Sequence, residues 1–106
     1  MKKEFQNAIE DSPVIAAINN FESLEKALTC ESRIIFILFG DICNIADIVA
    51  RVKAAGKIAM VHIDLILGLA PKEIAVDFIH QCTQADGIIS TKPSLIKRAG
   101  KLSMFT

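Results

Sequence analysis

Short apolar runs alternate along this chain with stretches of helical periodicity. Pro13–Ile18 (PVIAAI) reads as a strand. Phe21, Leu24 and Leu28 then recur at i, i+3 and i+7, the spacing of one helix face. Ile34–Gly40 (IIFILFG) has no polar side chain in seven residues, which fits a strand buried on both faces of a parallel sheet. Ile45, Ile48, Val49 and Val52 mark a second helix, with Asn44 as N-cap, Asp47 in the first turn and Gly56 closing the end. Lys57–Leu65 (KIAMVHIDL) is a third strand. Pro71 suits the first turn of a third helix, whose apolar face is Ala75, Phe78, Ile79 and Cys82. Gly87–Lys92 (GIISTK) is a fourth strand, and a short helix follows from Pro93 to Lys101. Leu102–Thr106 looks like a fifth strand beginning, and a short helix carrying Phe5 and Ile9 precedes the first.

The pattern is a β-α unit repeated four times. Parallel strands need crossovers, and right-handed crossovers lay helices against the sheet. Two architectures satisfy this. One is a small open sheet with helices on both faces. The other is a (β/α)8 barrel, which takes about 250 residues, so that 106 residues hold roughly half of one.

Both architectures work at the carboxyl ends of their strands, and polar residues gather there. Strand two ends in Gly40-Asp41, strand three in His62-Ile63-Asp64, and strand four in Ser90-Thr91-Lys92. By strand alternation His62 and Asp64 share a face, as do Ser90 and Lys92. A half-buried imidazole, carboxylate and ammonium are costly unless each finds a partner or a ligand. Singly, each has an ordinary role: a satisfied core histidine, a loop-end acid, a solvent-facing lysine. Together they point to a site for a small anion. A His-x-Asp pair supplies too few ligands for a metal site. Neither common glycine-rich phosphate loop is present, and no nucleophile–base–orienter set can be assembled.

Composition narrows the classes. Apolar residues make up 52% and charged residues 23%, a globular balance. Twelve Lys and Arg match twelve Asp and Glu, which argues against a surface that grips nucleic acid or anionic lipid all over. The charge is unevenly placed, however. Residues 1–50 carry four cations and eight acids, and residues 51–106 carry eight and four. Lys92, Lys97, Arg98 and Lys101 lie together with no acid among them, either as a solvated helix face or as a patch for the phosphates of a metabolite or an RNA. Cys30, Cys43 and Cys82 have no C-x-x-C spacing and are expected to be small core hydrophobes. No run approaches the roughly 20 apolar residues of a membrane span, and the first residues lack a signal-peptide core. A cytoplasmic, reduced protein without membrane contact is expected.

IIFILFGD at Ile34–Asp41, VHIDLI at Val61–Ile66 with Gly68-Leu69, and DGIISTK at Asp86–Lys92 with Leu95–Ala99 resemble the glycerol uptake operon antiterminator family. Pro13–Ala17 resembles its first strand, so the likeness runs from about Pro13 to Thr106. The resemblance implies an α/β fold of parallel β-α repeats, the first half of a TIM-like (β/α)8 barrel. Residues 1–106 would be a single, incomplete domain of four units plus the start of a fifth strand. It implies a bacterial regulator without turnover and without a cofactor, responding to glycerol 3-phosphate and binding leader mRNA of glycerol catabolic genes. The matched positions are Asp41, His62, Asp64, Ser90, Thr91 and Lys92 for the ligand. Lys97 and Arg98, with Lys101 beside them, are the positions for RNA. His62 and Asp64 would then orient the glycerol hydroxyls or each other.

Family members continue through further β-α units. The phosphate in such barrels commonly sits on the loops after strands seven and eight, which these 106 residues do not reach. A fragment, a natural truncation, or two copies closing one barrel are the alternatives. A half barrel leaves strand edges unpaired, so homo-oligomers are expected. The competing function is a barrel enzyme (aldolase, isomerase or lyase) acting on a phosphorylated metabolite, with His62 and Asp64 as acid and base and Lys92 stabilising charge. A scaffold with a vestigial site is the third.

Overall fold

The structure is a computed structural model, described here for residues 15–106. The first helix expected from Phe5 and Ile9 lies outside the described residues, as do Pro13 and Val14. In order come β1 (Ile15–Ile18), α1 (Phe21–Leu28), β2 (Ile34–Ile37), α2 (Ile45–Ala54) and β3 (Ile58–His62). A 3-10 turn (Ile63–Leu65), α3 (Glu73–Cys82), β4 (Gly87–Ile89) and α4 (Pro93–Lys101) complete the chain. The four strands form one parallel sheet in sequential order, with Ile15 opposite Ile34, Ile34 opposite Ile58, and Met60 opposite Gly87.

Strand alternation sorts the sheet into two faces. Ile35 and Ile37, Ala59 and Val61, and Ile88 join Leu24, Ile48, Val49, Val52, Ile79 and Leu95 in the main core. All four helices therefore contribute to the core on that one face. The other face carries Ile34, Ile58, Met60 and Phe105, with Phe36 and Ile89 packed on them. An open doubly wound sheet would place helices on both. Among the described residues, no helix is long and apolar enough to cross a membrane.

The second, third and fourth expected strands are present but shorter, and β1 ends at Ile18 as expected. β2 stops at Ile37 because the backbone breaks at Gly40, whose φ of +119° suits glycine. β3 stops at His62, where the chain tightens into the 3-10 turn. α3 starts at Glu73 with Lys72 as N-cap, so Pro71 lies before the helix and not in its first turn. Its buried face is Ala75, Val76 and Ile79, with Phe78 half-buried; Cys82 sits exposed in the last turn. The expectation of core thiols holds only for Cys30, which packs against the core, since Cys43 and Cys82 are exposed. The fifth strand is reduced to one parallel bridge, Phe105 to Gly87, closed by Ile88 N–H donating to Phe105 O (2.9 Å) and Phe105 N–H donating to Asp86 O (3.0 Å).

The amino ends of the strands are tied by charge. Lys57 is buried, and its ammonium donates to the carbonyls of Cys30 (2.8 Å) and Ser32 (2.6 Å). Asp86 Oδ2 accepts from Lys53 Nζ and from the Ala59 amide, both at 2.8 Å, and so links α2, β3 and the start of β4. Asp86→Ala leaves the Ala59 amide and Lys53 without that acceptor. It is expected to cost about 1–3 kcal/mol, read as a lower urea midpoint at unchanged slope.

Candidate anion site at the carboxyl ends of the strands

Asp64 organises the site. It sits in the 3-10 turn after β3, with a side chain only 12% exposed. The segment after β4 wraps around it. Ser90 Oγ donates across both carboxylate oxygens (3.0 and 3.1 Å), the Thr91 amide donates to Oδ2 (2.9 Å), and Thr91 Oγ1 lies 3.3 Å from Oδ2. Lys92 Nζ stands 3.4 Å from Oδ1, with its side chain 42% exposed. The Lys92 amide in turn donates to Ser90 Oγ (3.0 Å). Asp64, Ser90, Thr91 and Lys92 thus form one cluster, as their positions in the sequence suggest.

Burial pushes the Asp64 carboxyl up. The hydrogen bonds from the Thr91 amide, Ser90 and Lys92, with the Lys92 charge, outweigh it and hold the group below its ordinary 3.8. A carboxyl lowered by folding contributes stability above its unfolded value, and that contribution fades as pH falls through the folded value. Urea midpoints measured from about pH 5 down to about pH 2 should therefore drop less steeply in Asp64→Asn than in the unaltered chain.

Lys92 is also the N-cap of α4, with Pro93 in the first turn and no side-chain cap. The positive end of the helix dipole adds to the ammonium there. Asp64 and Lys92 line a cavity of about 230 Å³ together with Ile63, Leu69, Pro71 and Leu95. That is below the roughly 300–1,000 Å³ of drug-sized sites and suits a small ligand. The sequence marks Leu69 only as part of the family-like stretch and Pro71 only as a helix start, because neither carries a polar side chain that would point to a site.

The other expected residues are not hydrogen-bonded into this cluster. His62 and Asp64 do not follow strand alternation, because β3 ends at His62 and the next residues turn. His62 is in register with Ile89, and its buried Nδ1 has no hydrogen-bond partner, so it does not orient Asp64 through that nitrogen. Asp41 is engaged in its own turn: Oδ1 accepts from the amides of Cys43 (2.8 Å) and Asn44 (3.0 Å). Asn44 occupies the N-cap position of α2 without a capping bond and accepts instead from the Asp41 amide (2.8 Å). Asp41 also bridges to Leu67, which stitches the β2 and β3 loops together.

On α4, Lys97 and Lys101 are exposed. Arg98 is engaged within the fold by Asp77. Its Nη2 lies 2.6 Å from Asp77 Oδ1 and its Nε 3.2 Å, and this Asp77 contact keeps the guanidinium charged above its usual range. Arg98 therefore fastens α4 to α3. Among the described residues no group of three metal-ligating side chains converges.

The model of the family described as glycerol-3-phosphate responsive antiterminator matches residues 14–106. The uncharacterized protein YgcP of Escherichia coli K12 is 45% identical over 91 residues, covering 86% of this chain and 48% of that protein. A glycerol uptake operon antiterminator regulatory protein from Listeria monocytogenes superposes with a TM-score of 0.81 at 31% identity, over 85% of this chain and 49% of that one. A glycerol uptake operon antiterminator-related protein from Thermotoga maritima gives 0.76 at 31% identity, over 86% and 51%. The chain spans about half the length of each of these proteins.

Proposed function

Because the chain belongs to the glycerol-3-phosphate responsive antiterminator family, we propose that it is the ligand-responsive first half of a cytoplasmic regulator built on a (β/α)8 barrel. A sequential parallel sheet with its helices on one face is the form half of such a barrel takes. The ligand is glycerol 3-phosphate, and the observation that carries this is the Lys92 ammonium, which would hold the phosphate after strand four and not on the loops after strands seven and eight. It is half-exposed, sits at the start of α4 and lines a small cavity beside Asp64. A phosphate there gains a charge-assisted hydrogen bond from Nζ and the favourable end of the α4 dipole. An enzyme reading would use His62 and Asp64 as acid and base. Asp64 is instead held ionised by four donors, which favours binding over proton transfer.

The regulatory target is leader mRNA. Exposed Lys97 and Lys101 on α4 support it, in the half of the chain that carries the cationic excess. The outer edge of β1, which pairs only with β2 among the described residues, is open to strand pairing, either with the rest of a barrel or with a second copy.

Thermal unfolding with glycerol 3-phosphate tests the ligand assignment. A ligand at 100 times its dissociation constant adds about 2.7 kcal/mol of stability; no shift at millimolar ligand would remove the assignment. Filter binding tests the RNA assignment. Affinity for leader RNA should rise with glycerol 3-phosphate and fall steeply with salt, whereas equal affinity for random RNA would contradict it.

A further inference from the structure

We propose that two copies of this chain associate through the apolar shelf on the loops after β2 and β3, the Leu67 side chain of each copy seated in the groove beside Ile74 of the other. Four of the seven large apolar side chains that stand exposed among the described residues are in this region: Ile42 (47% exposed), Leu65 (48%), Leu67 (72%) and Ile74 (69%). Single exposed apolar residues are ordinary, whereas a group of them marks an interaction surface. The backbone holds the shelf in place. The Ile42 amide donates to Leu67 O and the Leu67 amide donates to Gly40 O, both at 3.0 Å, so the two loops are tied to each other. Gly68 passes so close to Ile42 that a Cβ there would lie 3.0 Å from Ile42 Cγ2.

Between this shelf and α3 runs a groove of about 320 Å³, lined by residues such as Ile42, Gly68, Leu69, Ile74 and Phe78, with no charged side chain. A cavity of about 150 Å³ already holds a benzene ring, so a leucine side chain fits. Leu67 does not line the groove but directly precedes Gly68, which does. A protruding apolar side chain beside an apolar recess is self-complementary, as an isologous interface requires. The charges agree with a second copy as the occupant. Lys72 and Glu73, adjacent and exposed at the start of α3, give the rim one charge of each sign. A two-fold axis can set the lysine of one copy against the glutamate of the other. The twelve cations and twelve acids of the chain cancel, so two copies do not repel at long range. An anionic membrane or a nucleic acid would ask instead for a cationic rim. Strand addition at β1 leaves the groove uncovered, because the groove lies between the β3 loop and α3, and β2 separates β1 from β3. The two kinds of contact are therefore separable.

Sedimentation equilibrium from micromolar to millimolar concentration tests this. The unaltered chain should reach a dimer. Leu67→Asp should weaken that dimer roughly 100-fold, since a two-fold interface loses the buried side chain twice. Ile15→Lys, on the outer strand β1, should leave it unchanged. In methyl NMR of the unaltered chain, dilution should shift the signals of Ile42, Leu67 and Ile74 and leave Ile15 in place. Leu67 and Ile74 are both largely exposed, so the fold tolerates their replacement. Should Leu67→Asp not fold by circular dichroism, Ile74→Lys makes the same test. A chain that stays monomeric throughout, whatever other protein the groove takes, overturns the proposal. A dimer that survives Leu67→Asp overturns it too, and its loss in Ile15→Lys would assign association to the β1 edge.

Discussion

Lys92→Met is expected to weaken glycerol 3-phosphate by roughly 10- to 100-fold, the value of one hydrogen bond from a charged group. The methionine keeps the length and the apolar stem of lysine, so the packing along the cavity wall survives. What is lost is the cation at the carboxyl ends of β3 and β4. The same substitution barely touches the fold. The Lys92–Asp64 contact is 3.4 Å long with Lys92 42% exposed, and exposed pairs contribute little. Asp64 retains the Ser90 hydroxyl and the Thr91 amide in any case. Titration calorimetry beside a urea curve separates the two effects. Undiminished binding by a folded Lys92→Met would place the phosphate elsewhere.

Gly87→Val is expected to be the most damaging single change to the fold. A Cβ at position 87 would come within 2.7 Å of the carbonyl carbon of Phe105, and the space is backbone, which cannot swing aside. The segment ending the chain must then leave β4. It gives up the Ile88–Phe105 and Phe105–Asp86 hydrogen bonds and uncovers Met104 and Phe105, both buried. Burying a large apolar side chain stabilises by about 1.5–3 kcal/mol, so two of them exposed cost at least about 3 kcal/mol. Urea unfolding gives the loss. Hydrogen exchange at the Ile88 amide reports whether the segment has detached. A stable Gly87→Val with Ile88 still protected would show that the backbone around Phe105 adjusts.

The parts of the fold that the sequence reveals are those decided by local pattern. Ile34–Ile37 fits a strand buried on both sides, because no residue offers a polar face. The helix face of α2 follows from spacing alone, and the Asp64–Lys92 cluster joins polar residues at the ends of two apolar runs, while Asp41 at the end of a third stays in its own turn. Element ends are different, because they are set by contacts across the chain. β2 ends where Gly40 turns and where Leu67 N–H finds Gly40 O. β3 gives way to a 3-10 turn because Asp64 is pulled toward the Ser90–Lys92 segment, 26 residues and more away. The Asp86 and Asp77 carboxylates had no local signature, since each acquires its role only when Lys53 or Arg98 arrives from another helix. Cys82 satisfies helical spacing and is nevertheless exposed, since Val76 supplies the buried contact.

His62 is the residue whose chemistry is left over. A buried nitrogen without a partner costs about 1–3 kcal/mol. His62→Phe is therefore expected to leave stability unchanged or to raise it, and a marked fall in the urea midpoint would contradict that.

A crystal structure of the chain with glycerol 3-phosphate tests the central claim most directly. A phosphate oxygen is predicted within hydrogen-bond distance of Lys92 Nζ. A phosphate bound away from Lys92, with the Lys92–Asp64 contact intact, would contradict the account.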